Sequence, residues 1–479
     1  MKKILLLCAA GLGNLAVLSA APGRDDVLRQ IDRDQAAYTS VMQKIWEYAE
    51  VGFQETKSTA LLQERLKAAG FTVEAGVGGM PTAFVATYGN GQPIIGVMAE
   101  YDALPGISQE AVPEKKTRPG SEAAHACGHH AFGAGSVEAA VALKEWMRST
   151  GQKGTLRVYG CPAEEGGSGK VYLVRAGLFD DVDVAMHWHA GDRNAVMTNP
   201  TKANISAKFR FHGQAAHASG APYRGRSALD AVESMNYMVN MMREHIPQDA
   251  RIHYVITRGG EAPNVVPAFA ESYYYVRHKD REMVRSIFER VCNAARGAAL
   301  GTDTKVDWEI TGGVHDLLPN AALAAVVQAN LEQVGGVIYD EKEKAFAAAL
   351  GKTLPAGRSG SVETAALILP LVIDADGEGG GSTDVGDVSY TVPTIGVRTA
   401  TWVPGTPGHS WQAAACGGTT ICAKARVNAA KVLALTAVDL FTQPALIAKA
   451  KAEFMERRGA NFQYRPLIGD RPPALDYRN

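Results

Sequence analysis

Predicted strands and helices alternate along residues 83–189, and this alternation constrains the fold more than any other feature of the chain. Strands are predicted at 83–88, 93–99, 155–161 and 182–187, and helices at 133–147 and 170–176. The strand at 93–99 is apolar throughout, which is typical of a strand covered on both faces of its sheet. Alternation of this kind builds an α/β fold in which helices cover a sheet.

The middle of the chain follows a different order. Strands at 204–212, 251–257, 269–277 and 304–311, with helices at 227–245 and 282–299, give the order β-α-β-β-α-β. That order is the ferredoxin-like α+β motif, and it predicts a self-contained domain over residues 201–313. A further strand at 393–399 resumes the first pattern. We therefore predict a catalytic domain in two parts, 22–200 and 314–479, with the second domain inserted between them.

The two ends of the chain carry simpler signals. Residues 1–21 contain two lysines, an apolar run and small residues before Pro22, which is the order of a cleavable secretory signal peptide. We expect an exported protein, periplasmic or extracellular, and no membrane in the mature form, because no later stretch has the roughly twenty apolar residues of a span. One long helical region is predicted at 26–70. The end beyond Gln443 is predicted to be a charged helix and a proline-rich segment, without assigned chemistry.

Composition excludes some classes of function. Lysine and arginine number 49 against 50 aspartates and glutamates, for a net charge of −1, and no basic run is present. This balance argues against nucleic acid as a partner. Six cysteines in 479 residues are too few for a disulfide framework. A single disulfide among the five cysteines beyond the signal stays open.

Side chains that bind metals follow the predicted strands. Asp102, the Glu164-Glu165 pair, His189 and His409 each come after a strand, and Cys127 and His129 precede a helix. Functional residues of open α/β sheets collect at the carboxyl ends of the strands. Thiolate, imidazole and carboxylate are the ligands that borderline divalent metals prefer. The sequence therefore predicts a metal centre at one edge of the sheet, with Gly128 allowing a tight turn between its neighbours.

The number of candidate ligands indicates two metal ions. Cys127, His129, Glu165, His189 and His409 exceed what one tetrahedral ion needs, whereas two ions sharing a bridging group would use them all. His187 is a rival to His189, because residues two apart on a strand point the same way. We interpret His125 and His130 as packing or supporting residues. Of two adjacent glutamates, one can bind metal while the other moves a proton.

The motifs in these segments resemble a known family, and the match runs from about residue 46 to residue 441. They lie at 50–55, 102–105, 125–129, 162–169, 187–189, 381–389 and 405–410. The chain is similar to the two-domain metal-dependent amidohydrolases and carboxypeptidases related to aminoacylase. Within that family it most resembles the p-aminobenzoyl-glutamate hydrolase branch, which also contains the plant hydrolases of indole-acetyl amino acids.

The resemblance implies roles for individual residues. It implies a mixed-sheet, metallo-exopeptidase-like catalytic domain whose five ligands bind two zinc or manganese ions in each protomer, with His189 preferred to His187. Glu164 would be the general base, with Asp102 also catalytic. The inserted domain would serve as a lid and dimerise the protein, so that His217 reaches the partner's site and stabilises the oxyanion. Implied substrate contacts are Asn264, Arg277, Ser382 and Thr383.

The expected function is hydrolysis of the amide bond of N-acyl or N-aroyl amino acids, small molecules similar to p-aminobenzoyl-glutamate. A homodimer is expected, and a hetero-oligomer is the alternative. A dipeptidase or carboxypeptidase would use the same chemistry, and a catalytically silent member of a two-subunit hydrolase would use only the fold. The chain departs from its relatives at His130, where they carry aspartate or asparagine, so the geometry behind the ligands is less certain than the ligands themselves.

Overall fold

A computed structural model describes residues 23–374, 377 and 379–478, so the predicted signal peptide lies outside the described residues. The first part of the catalytic domain alternates helices and strands as the sequence predicts. Its elements are α1 (Arg24–Tyr48), α2 (Thr56–Ala68), β1 (Thr72–Ala75), β2 (Phe84–Asn90), β3 (Ile94–Glu100), β4 (Leu104–Pro105), β5 (Ala123–Ala124), α3 (His129–Thr150), β6 (Gly154–Cys161), α4 (Glu164–Gly167), α5 (Gly169–Arg175), β7 (Val184–Gly191) and β8 (Ala195–Met197).

The inserted region forms a separate sheet with its own hydrophobic core. It consists of β9 (Ala203–His212), α6 (Ala228–Met242), β10 (Arg251–Arg258), β11 (Phe269–His278), α7 (Arg281–Thr302) and β12 (Lys305–Val314). The strands are antiparallel in the spatial order β10-β11-β9-β12, and the two helices pack on the sheet. The predicted β-α-β-β-α-β order is confirmed.

The second part of the chain returns to the first sheet. It contains α8 (Ala321–Val334), α9 (Glu341–Gly351), α10 (Val385–Ser389), β13 (Thr394–Ala400), α11 (Trp411–Gly417), α12 (Thr420–Thr442) and α13 (Pro444–Arg458). The large sheet has the order β1-β2-β6-β3-β7-β13-β8. The pairs β6–β3, β3–β7 and β7–β13 are parallel, while the outer pairs are antiparallel. The predicted α/β fold with a mixed sheet is therefore confirmed, and β13 pairs with β7 across the insertion.

Three predicted element boundaries are wrong. The helix predicted at 26–70 is two helices, because Ala49 and Phe53 adopt positive φ angles of 44° and 63° that end α1 and turn the chain. Helix α3 begins at His129 and not at residue 133, since its buried face extends to its first turn. Strand β7 reaches Gly191 because its register with β13 continues that far. His189 therefore lies within the strand and not beyond it.

Two further expectations concern membranes and disulfides. Within the described ranges, no single helix is long and apolar enough to cross a membrane. The bent pair α12–α13, with 98° at its break, passes the same test of length and composition. The five cysteines of the described chain are free and buried, so the disulfide left open by the sequence is not formed.

Helices α1, α3 and α12 pack together on one face of the large sheet, and a buried ion pair joins two of them. Arg426 of α12 donates to Glu138 of α3, and both side chains are almost fully buried. Arg426 also donates to the Gln35 carbonyl and to the Thr39 hydroxyl of α1. Burial is the first cause that raises the pKa of Glu138, to about 7. The arginine is thus what compensates a carboxylate held away from water.

We expect Arg426→Met to lower the free energy of unfolding by about 3–5 kcal/mol, because Glu138 would stay buried without a partner. Urea denaturation of purified protein measures this loss. The double variant Glu138→Leu/Arg426→Met leaves no unpaired charge and should recover most of the stability. A single variant as stable as the wild type would contradict the role assigned to the pair.

Candidate metal centre and active site

The parallel strands bring the predicted ligands to one edge of the large sheet. Asp102 follows β3, Glu164 and Glu165 follow β6, His189 lies near the end of β7, and His409 follows β13. Cys127 and His129 flank Gly128, which has a φ of 81°. A Cβ atom on residue 128 would lie 2.3 Å from the Cβ of Ala190. Both the turn and the close approach therefore require glycine, as the sequence predicts.

The donor atoms of the five predicted ligands and Glu164 lie close together. Three groups have ligand atoms that are all within 4.8 Å of one another: Cys127, His129 and His189; Cys127, Glu165 and His409; His129, Glu164 and Glu165. In the first group, Cys127 Sγ is 3.4 Å from His189 Nε2. In the second, His409 Nε2 is 3.3 Å from Glu165 Oε1. Because the groups share members, they form one continuous site.

Asp102 is buried behind this site and orients two of its members. Its Oδ1 accepts a hydrogen bond of 2.8 Å from His129 Nδ1, and its Oδ2 accepts one of 2.9 Å from the Glu165 backbone N–H. The other imidazole nitrogen, His129 Nε2, then faces the ligand cluster as an acceptor. A carboxylate behind a histidine is the usual support of a metal-binding imidazole.

The site has the chemistry of a divalent metal centre. Glu165 Oε1, His129 Nε2 and Glu100 Oε2 are buried without a hydrogen-bond partner among the described residues. Unpaired buried polar atoms are costly, and a cation between them would remove that cost. Burial lowers the pKa of His189 to about 4, which keeps its imidazole neutral. Burial also raises the pKa of the Cys127 thiol, so a thiolate here needs a neighbouring cation. The residues fit two ions.

Glu164 shares this environment but has a different character. Burial, followed by the charges of Glu100, Glu165 and Asp384, raises its pKa well above the ordinary range of a carboxyl group. The side chain lines the cavity beside the ligands. A carboxyl group in such surroundings can both accept and donate a proton.

A buried lysine neutralises the acidic side of the site, and the sequence did not predict it. Lys170 Nζ lies 2.6 Å from both Glu100 Oε1 and Asp384 Oδ1, and all three side chains are buried. The Asp384 carboxylate also accepts from the Lys170 backbone N–H, at 2.8 Å. Nothing in the local pattern distinguishes this lysine from a solvated one at the start of a short helix. The one signal in the sequence was its position six residues after Glu164.

The remaining histidines of the region are arranged differently. His187 is buried and lines the same cavity, but it belongs to none of the three ligand groups. His130 Nε2 is 3.0 Å from the Gly417 carbonyl, and His125 Nε2 is 3.0 Å from the Ile45 carbonyl. Their rings pack at 4.9 Å. Both therefore act in packing, and the unusual His130 contacts α11.

A cavity of about 530 Å³ opens from the ligands toward the inserted domain. Its lining includes Arg277 of β11 and both Ser382 and Thr383. Ser382 Oγ is buried there, and no hydrogen-bond partner for it exists in the described part of the chain. Predicted residues that line the cavity are Cys127, Glu164, Glu165, His189, Arg277, Ser382, Thr383 and His409.

Two predicted residues lie away from the cavity of their own chain. His217 and Asn264 are exposed on the inserted domain. They are held near each other, because His217 pairs with Val265 and the Ala218 N–H donates to the Asn264 carbonyl at 3.0 Å. Neither residue lines the cavity. Within one chain the structure does not bring them to the metal ligands.

The end of the chain, in contrast, reaches the cavity. Arg478 is part of its lining, and Arg478 Nη2 donates to the Glu165 carbonyl at 2.6 Å. The sequence prediction assigned no chemistry to this end, and that prediction was wrong in its neglect of Arg478. A proline-rich segment without periodicity gives no signal of where it packs.

Fold and site together define a hydrolase of carbon–nitrogen amide bonds with a metallopeptidase architecture. The chain matches the model of peptidase family M20/M25/M40 over residues 96–353, and it belongs to that family. One of the two p-aminobenzoyl-glutamate hydrolase subunits of Escherichia coli is 40% identical to it over 451 residues, covering 89% of this chain and 93% of that protein. The family resemblance predicted from the motifs is thereby confirmed.

Two other relatives are informative. Xaa-Arg dipeptidase of Mus musculus is 28% identical over 443 residues, covering 89% of this chain and 90% of that protein. Among solved structures, the YXEP protein of Bacillus subtilis, described as a dinuclear metal binding peptidase from the M20 family, superposes with a TM-score of 0.57. It is 17% identical, with 86% of this chain and 99% of that chain covered, and this likeness concerns the fold.

The geometry distinguishes the two rival histidines by experiment. We expect His189→Asn to lose about one bound ion per protomer, because its Nε2 lies against Cys127 Sγ within a ligand group. The matched variant His187→Asn should retain the metal content of the wild type. Elemental analysis of protein loaded with zinc or manganese measures both. Loss of metal in the His187 variant alone would reverse the assignment.

Proposed function

We propose that this chain is a metal-dependent amidohydrolase that cleaves the amide bond between an acyl or aroyl group and an amino acid. The carrying observation is that Glu164 and five metal-binding side chains meet at the floor of one cavity. The similarity to the Escherichia coli p-aminobenzoyl-glutamate hydrolase chain over most of both proteins supports p-aminobenzoyl-glutamate as the first substrate to test.

The proposed mechanism divides the work among residues of this chain. Two zinc or manganese ions held by Cys127, His129, Glu165, His189 and His409 would supply a water of lowered pKa and positive charge toward the substrate carbonyl oxygen. Glu164 takes the proton of that water and later delivers it to the leaving nitrogen. Asp102 keeps His129 and the Glu165 backbone oriented throughout. The buried setting of these carboxyl groups keeps bulk water out of the reaction.

Substrate contacts follow from the cavity wall. The Arg277 guanidinium offers a cation for the carboxylate of the amino acid, and its Nε is buried with no partner in the described ranges. Ser382 and Thr383 offer hydroxyl groups on another wall. A substrate bound by these groups would have its amide between them and the metal ligands. Fixed polar groups of this kind set orientation.

We expect Glu164→Gln to lower kcat for p-aminobenzoyl-glutamate by on the order of 10²–10⁴-fold, because the proton carrier is lost. The variant should retain the metal content of the wild type, since five other ligands remain. Release of p-aminobenzoate measures activity, and elemental analysis measures metal. Chelation should abolish wild-type activity, and zinc or manganese should restore it. Activity that survives both thorough chelation and Glu164→Gln would refute this mechanism.

A dipeptidase is the second candidate, and the similarity to Xaa-Arg dipeptidase along most of the chain supports it. The same ligands and the same base would act on either bond. Parallel assays of a dipeptide and its N-acylated form separate the two functions, because only a dipeptidase requires the free amino group. Faster hydrolysis of the free dipeptide would favour this second candidate.

We also propose that the inserted domain forms a homodimer through the edge strand β10. Val255 and Ile256 on this strand are exposed, as are Tyr237 on α6 and Val265 near His217. An exposed apolar edge strand is a ready surface for pairing with a second copy. Two-fold symmetry would then bring His217 of one protomer toward the cavity of its partner. There its imidazole could donate to the developing oxyanion.

Mixing two inactive variants tests this arrangement. We expect His217→Ala to lower kcat on the order of 10²-fold through loss of an oxyanion donor. Unfolding and refolding it together with Glu164→Gln should restore about a quarter of wild-type activity, because half the dimers are mixed and each has one intact site. Neither variant refolded alone should recover. A failure to complement, with dimers present by light scattering, would contradict action across the interface.

A hetero-oligomeric enzyme is the alternative assembly, since the Escherichia coli relative is named as one subunit of its hydrolase. In that case the purified chain would bind metal and hydrolyse no amide until a partner is added. Export of the protein is also a proposal, and it predicts that the mature chain is recovered from a periplasmic or extracellular fraction with residues 1–21 removed.

A further inference from the structure

The tail segment, defined as residues 459–478, runs from the end of α13 across both domains. Its Leu467 packs in the core of the inserted domain, and the next residue, Ile468, packs in the core of the catalytic domain. Arg471 Nη2 is 3.0 Å from Glu309 Oε1 of β12. Arg175 Nη1 donates at 2.9 Å to the carbonyls of Gly469 and Arg471. The tail segment is thus anchored on both sides of the cleft.

The last described part of the tail segment is fixed against the metal site. Tyr477 packs edge-to-face on Phe53, with ring centroids 5.6 Å apart. Tyr477 Oη donates to the Glu165 carbonyl at 3.1 Å, and Arg478 Nη2 donates to the same carbonyl at 2.6 Å. These contacts hold the Arg478 guanidinium in the cavity wall, beside the backbone of a predicted metal ligand.

Arg478 has unused capacity to bind an anion. Its Nε is buried and has no hydrogen-bond partner in the part of the chain that the structure describes, and the same holds for Arg277 and Arg398, which line the same cavity. The acidic residues Glu100 and Asp384 are already paired with Lys170. The guanidinium groups are therefore left to interact with a ligand. An arginine fork matches the planar geometry of a carboxylate.

We propose that Arg478 binds the side-chain carboxylate of an acidic amino acid in the substrate, and so makes the tail segment the determinant of specificity for N-acyl dicarboxylic amino acids. This inference rests on the proposed amidohydrolase function. Arg277, on the opposite domain, would hold the α-carboxylate. Two carboxylates on one amino acid then meet two separate cations, and a neutral side chain leaves the Arg478 guanidinium unpaired, at a cost.

Paired substrates test the proposal directly. p-Aminobenzoyl-glutamate and p-aminobenzoyl-glutamine have the same shape and differ in one charge. The wild type should prefer the glutamate compound in kcat/KM. We expect Arg478→Gln to raise KM for the glutamate compound by about 10- to 100-fold with little change in kcat, as for a lost hydrogen bond to a charged group. The preference should fall by a similar factor, and Arg478→Lys should keep part of it.

Tyr477→Phe is the matched control, because it removes the other donor to the Glu165 carbonyl without removing a charge. It should retain the preference for glutamate. If Arg478→Gln instead lowers kcat equally for both compounds and reduces metal content, Arg478 only supports the backbone and the proposal is overturned. If the wild type hydrolyses the glutamate compound and Arg478→Gln keeps the preference, this inference alone fails. If the wild type hydrolyses neither compound, both proposals fail.

Discussion

The parallel pairing of β3, β7 and β13 is the constraint on which the rest of the molecule depends. Parallel strands end at the same edge of a sheet, so the loops that follow them must meet there. β3 and β13 both pair with β7 in parallel, although almost three hundred residues separate them along the chain. Their alignment gathers Asp102, His189 and His409 from distant segments. The inserted domain is tolerated because it leaves this pairing unbroken.

Gathering so many polar groups in a buried place carries an energetic cost, and the surroundings of the site offset part of it. Asp102 accepts two hydrogen bonds that also orient His129 and Glu165. Lys170 neutralises Glu100 and Asp384 from behind. Unpaired atoms of Glu100, His129 and Glu165 remain at the ligand cluster. Supporting residues thus leave the donor atoms that a cation would use, which is how a preorganised site limits reorganisation.

The cavity belongs to both domains, and the tail segment connects them. β11 and β12 supply one wall through Arg277 and Gly312, and the catalytic domain supplies the floor. Leu467 and Ile468 lie in different cores although they are adjacent in sequence. A movement of the inserted domain would therefore be transmitted to the tail segment and to Arg478. Substrate binding and the relative position of the domains are coupled through the same short stretch of chain.

Local pattern determined much of this protein from the sequence alone. Strand–helix alternation predicted the α/β fold, and the β-α-β-β-α-β order predicted the inserted domain, because both depend on periodicities of neighbouring residues. The proximity of Cys127, Glu165 and His409 was predictable too, since residues after parallel strands must share an edge. Tertiary structure decided the length of β7, the burial of Lys170 and the path of the tail segment. Each depends on contacts with distant residues, to which hydrophobic periodicity is blind.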